Sequence, residues 1–86
     1  MTIIGRCWLV ERSLEDGRII STIYATEDGR HRLTRQQAVN VATEGVPASI
    51  EIVEDELEPI DDPEVRSIYR AEAKRMKKQH GPRERV

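Results

Sequence analysis

Two histidines, one cysteine and sixteen carboxylates are the groups in this 86-residue chain that could do acid–base, nucleophilic or metal chemistry. Their spacing does not gather them. His31 and His80 lie far apart in sequence, and neither stands at metal-ligand spacing from Cys7. His31 reads as a strand-edge residue, and His80 as the last turn of a helix, where the dipole welcomes a cation. Cys7 alternates with Ile3 and Leu9, which makes it a small buried apolar side chain and not an activated thiolate. Asp61-Asp62 reads as cap and loop chemistry, not as a carboxylate dyad. The five glycines are scattered at turns and ends, so no phosphate-binding loop forms. The expectation is a protein that is not an enzyme, with no catalytic, metal or cofactor residues and no cofactor.

The elements around these residues must come from a small aliphatic core. Apolar residues make up 37% of the chain, charged residues 35% and aromatics 3%. This length suits one domain and excludes a large enclosed active site. No stretch reaches the roughly 18–20 apolar residues of a membrane span, and the first four residues lack the features of a signal peptide. A single cysteine excludes an internal disulfide framework. The expected location is cytoplasmic, with no membrane partner.

Residues 3–12 alternate as a strand, with Ile4, Trp8 and Val10 on one face and Ile3, Cys7 and Leu9 on the other. Trp8 reads as the central core residue; facing solvent, it would instead be a prime contact residue. Glu15-Asp16-Gly17-Arg18 and Glu27-Asp28-Gly29-Arg30 are the same tetrapeptide twelve residues apart, and both read as hairpin turns. An EF-hand loop would need further carboxylates that are missing. Between the turns, residues 18–26 form a β-branched second strand, and a short third strand is expected at 30–33.

Thr34-Arg35-Gln36-Gln37 carries a capping box, with Leu33 and Ala38 at the staple positions. A short helix is therefore expected from Thr34 to Gly45, where Pro47 follows. Residues 48–53 form a further strand, with Ile50 and Ile52 inward, paired beside the first strand. Asp62-Pro63-Glu64 starts a longer helix that runs to about Gln79 and stops at Gly81-Pro82. The predicted fold is α+β: an antiparallel sheet of three to four strands in β-β-β-α-β order, one short helix packed on it, and a longer C-terminal helix. The corresponding segments are 1–54 (sheet and short helix), 55–61 (acidic linker), 62–80 (helix) and 81–86 (frayed tail).

The charge is segregated. Residues 44–64 hold nine acids and no base, whereas residues 65–86 hold eight bases and two acids. The acidic block is expected to fold back on the basic helix. On that helix Val65, Tyr69, Ala73 and Met76 form a seam about 80° wide, with Ile68 on its flank and Glu72 inside it. The leading reading is a non-enzymatic protein-interaction module (a homodimer, adaptor or small inhibitor) that uses this helix and an open sheet edge. Its contact residues are Val65, Arg66, Ile68, Tyr69, Arg70, Glu72 and Met76, and its partner is another protein chain, self or other. The alternative is a nucleic-acid-associated accessory protein that grips phosphates with Lys74, Arg75, Lys77, Lys78, Arg83 and Arg85.

The order of signals resembles a small uncharacterised bacterial domain family. They are a strand, Asp16-Gly17-Arg18-Ile19, a second strand, Asp28-Gly29, Leu33-Thr34 with Gln36-Gln37-Ala38-Val39, then Glu44-Gly45 and an apolar strand. The resemblance spans about residues 4–53 and implies a β-meander, a helix and a further strand. It implies no activity.

Overall fold

A computed structural model describes the chain over residues 3–39 and 45–86. Its strands are β1 (Ile3–Glu15), β2 (Ile19–Ala25), β3 (His31–Ala38), β4 (Ser49–Val53) and β5 (Glu58–Pro59), followed by the helix α1 (Pro63–Gln79). All neighbouring strands are antiparallel, in the order β4-β1-β2-β3-β5. The architecture is α+β, and the last apolar strand lies beside the first.

Register assigns the faces. Ser49, Trp8, Ala25, Arg32 and Glu58 stand opposite one another on one rung, while Leu9, Tyr24 and Leu33 form the next rung and point to the other face. A bulge at Val10 shifts the β1–β2 register, which returns Glu11 to the Trp8 face opposite Ile23. Trp8 and Leu9 are both buried, as is Cys7. The sheet is thus covered on both sides at its centre, and Trp8 is a core residue.

The chain supplies the two covers by wrapping the sheet. From β4, a 3₁₀ turn at Glu54–Glu56 leads across the Tyr24 face, where Leu57 packs against the core and Glu56 meets Arg35. Val46 covers the same face, and the Tyr24 hydroxyl donates to the Pro47 carbonyl at 2.8 Å. After β5 the chain turns over the β3 edge and α1 returns across the Trp8 face. Ala73 and Met76 are buried there, and the Tyr69 hydroxyl reaches Glu11. Asp62 caps α1 by accepting from the Glu64 amide, Pro63 takes the first helical position, and His80 ends the helix.

Three expectations are corrected. The short helix predicted from Thr34 is absent over 34–38, because β3 continues through those residues; positions 40–44 lie outside the described residues. A capping box is worth about 1 kcal/mol, whereas strand pairing here gives Thr34–Ala38 a ladder along Ile19–Ile23 and covers the inner edge of β2. Among the described residues the sheet accordingly has five strands instead of three to four, the fifth lying within the segment read as an acidic linker.

The tail does not fray. Val46 and Val86 exchange both backbone hydrogen bonds, and the Ala48 amide donates to the Glu84 carbonyl. Arg12 and Arg85 add bonds to the Val86 and Gly45 backbone oxygens, both at 2.8 Å. The backbone groups freed where β4 begins thereby find partners in the last residues of the chain.

Candidate functional site

The groups with reactive chemistry are held apart. Cys7 is fully buried, and burial, with repulsion from Asp28, pushes its thiol up to about 11. That is the opposite of what a nucleophile needs. His31 opens β3 half-buried, with its backbone tied to Thr26. His80 faces Glu84 at 2.7 Å, a pair the sequence reading did not anticipate. That bond and the Gly81 amide hold the Glu84 carboxyl below its ordinary range. His80 also lines an open groove with Leu9, Glu11, Arg12, Glu72 and Met76. Among the described residues, no serine, threonine or cysteine lines that groove. Among the described residues, no three His, Cys, Asp or Glu side chains cluster to hold a metal.

The C-terminal helix splits into two faces. The seam read as a partner surface faces the protein's own sheet: Met76 is buried, and Val65 and Tyr69 are half-buried. Burial, and then the Glu11 carboxylate, raise the Tyr69 hydroxyl's pKa. Glu72 is half-buried and held low by a bidentate contact with Arg75 at 2.8 and 3.1 Å. Arg66 donates to the Ile60 carbonyl, and Arg70 stays exposed. Of the seam and its flank, Ile68 alone is well exposed, at 57%.

Among the described residues, the acids of this block form no ion pair with the bases of the helix. Glu56 pairs with Arg35 at 2.9 Å and Glu58 approaches Arg32 at 3.7 Å, so both acids neutralise β3. Of the six bases assigned to phosphate contact, Arg75 is paired with Glu72, Lys77 with Glu27, and Arg85 with the Gly45 carbonyl. Lys74, Lys78 and Arg83 are exposed and have no ion-pair partner among the described residues.

The hairpin end of the sheet is a surface that hydrophobic periodicity alone does not reveal. β4 pairs with β1 only from Ile3 to Trp8, and β5 pairs with β3 only at His31 and Arg32. Beyond those points the sheet narrows to β1, β2 and β3. The Val39 amide donates to Arg18 and the Thr26 amide to His31. Those two bonds fix which way β3 turns its polar backbone. Odd-numbered residues face β2, while Thr34, Gln36 and Ala38 direct their N–H and C=O groups away from it. Leu14 is 63% exposed at this end and Ile19 39%. A shallow apolar recess lies beside Leu14, lined by Arg12, Ser13, Ile20 and Val39.

A family of unknown function, DUF7967, has a model that matches residues 1–86. The chain belongs to that family. The match therefore runs past residue 53, through β5, α1 and the tail, so the helix belongs to the shared unit. No curated protein and no solved structure matches the chain. Among the described residues, no helix is long and apolar enough to cross a membrane.

Proposed function

We propose that this chain is a non-enzymatic protein-interaction module of the cytoplasm, which docks another protein chain along the outer edge of β3. The carrying observation is the row of outward backbone groups at Thr34, Gln36 and Ala38, past the two-residue β5. An unpaired strand edge is a template for an added strand, whose main-chain bonds give affinity. Leu14 and Ile19 lie at the same end of the sheet on opposite faces, and Ile19, paired with Ala38, supplies apolar area beside that edge. The inward face of α1 is occupied by the sheet, so the helix contributes only its exposed flank at Ile68. The partner is a second copy or a different protein, and the experiment separates the two.

The test removes one outward donor. Gln36→Pro deletes an N–H that points away from β2 and leaves the β2–β3 ladder intact. Gln36→Ala removes the side-chain bonds to Glu15 and Ser21 but keeps the backbone. With a photo-crosslinker at Thr34, the wild type and Gln36→Ala should crosslink to a second chain, and Gln36→Pro should not. Light scattering on the purified protein then assigns the partner as self or other. A monomer that yields no Thr34 crosslink in host extract, or a crosslink untouched by Gln36→Pro, would overturn the reading.

A further inference from the structure

We infer that an exposed stripe of α1 binds the phosphate backbone of nucleic acid, on a surface separate from the β3 edge. The site is Arg70, Lys74 and Lys78, which follow one another at four-residue spacing. They span about 80° of the helix circumference and about 12 Å of its length. All three are exposed, and none has an ion-pair partner among the described residues. Ser67 lies on the same stripe and adds a hydroxyl of the kind that contacts phosphate oxygens. The paired bases Arg75 and Lys77 flank it on either side.

Charge placement lets a protein of net charge −2 present this face. Glu56 and Glu58 are engaged by the arginines of β3, and Asp61, Asp62 and Glu64 gather at the start of α1. From Asp62 to Lys78 the helix rises about 24 Å. That exceeds two Debye lengths at about 0.1 M salt, so the acids do not cancel the far end of the stripe.

The composition of the face selects the ligand class. Protein interfaces are depleted in lysine and need an apolar core, whereas phosphate contacts use lysine and arginine with small hydroxyls. This stripe carries no large apolar residue, because Ile68 lies about 80° beyond Lys78. A membrane-binding helix would need an apolar face to insert, and that face of α1 is against the sheet. Contacts to phosphate oxygens carry no base information, so the contact is blind to sequence.

The experiment titrates the full chain with a fluorescein-labelled 20-base-pair duplex and follows anisotropy from 50 to 200 mM salt. Three phosphate contacts give a log–log slope of about −2.7, or a roughly forty-fold loss of affinity over that range. The triple variant Arg70→Ala/Lys74→Ala/Lys78→Ala should bind at least about ten-fold more weakly at 50 mM and lose most of the slope. Arg75→Ala, which removes a base already paired with Glu72, should stay within about two-fold of the wild type. Circular dichroism on each variant checks that α1 is intact. Three outcomes would each overturn the inference: no salt-dependent binding by the wild type, equal binding by the folded triple variant, or binding to anionic lipid vesicles without binding to the duplex.

Discussion

Gly29 lies directly against the backbone of Arg66. A Cβ on Gly29 would collide with the Arg66 carbonyl oxygen and sit 2.9 Å from the Arg70 amide nitrogen. The second Glu-Asp-Gly-Arg turn is therefore the seat of α1, which also brings Lys77 to Glu27 at 2.8 Å. The first copy of the tetrapeptide has no such role, since the space around Gly17 is open.

The two glycines should respond differently to the same substitution. Both have positive φ, +68° at Gly17 and +73° at Gly29, so an alanine costs about 1–2 kcal/mol at either from backbone strain alone. Gly29→Ala must in addition push α1 off the turn, for a total of about 3 kcal/mol or more. Urea unfolding of both variants measures the gap. Equal losses would mean that the helix is not seated there.

Acid should weaken the same turn. Asp28 accepts from the Thr26 hydroxyl at 2.6 Å and the Arg30 amide at 2.9 Å, and these bonds hold its carboxyl below the ordinary 3.8. A carboxyl with a depressed folded-state pKa stabilises in full above its unfolded value. The contribution is lost as pH falls through the folded value. Asp28→Asn keeps the shape and removes the charge. The wild type should melt higher than this variant at pH 7, and the difference should close as pH drops below 3.8. An offset independent of pH would contradict the assignment.

Cys7 should be silent in the native state. With no exposed surface and a thiol pushed up to about 11, it reacts only through opening of the core. For an ordinary domain stability of at least about 5 kcal/mol, a disulfide reagent at pH 8 should modify it more than ~1,000-fold more slowly than in urea. Modification at the unfolded rate would place the thiol outside the core.

The amino-acid order by itself determined everything that local chemistry controls. Asp16-Gly17 and Asp28-Gly29 made the two hairpin turns, and Asp62-Pro63 and Gly81 bounded α1 within a residue or two. Period-two alternation around Trp8 and Cys7 marked a strand buried on both faces, and the narrow seam of α1 marked the side that packs. The tertiary structure decided the rest. Thr34–Ala38 carries a genuine helix-start signal, but that signal is worth about 1 kcal/mol, and the ladder offered by β2 outweighs it. The tail became ordered because Val46 and Ala48, some forty residues away, needed backbone partners. Which bases remain free depended on where Glu27, Glu56, Glu58 and Glu72 came to rest. Among the described residues, β5 pairs with β3 only at His31 and Arg32, and only the tertiary structure shows where that pairing stops. Turns and caps are written in neighbouring residues; pairing, neutralisation and exposure depend on contacts between residues distant in the chain, and only folding brings those together.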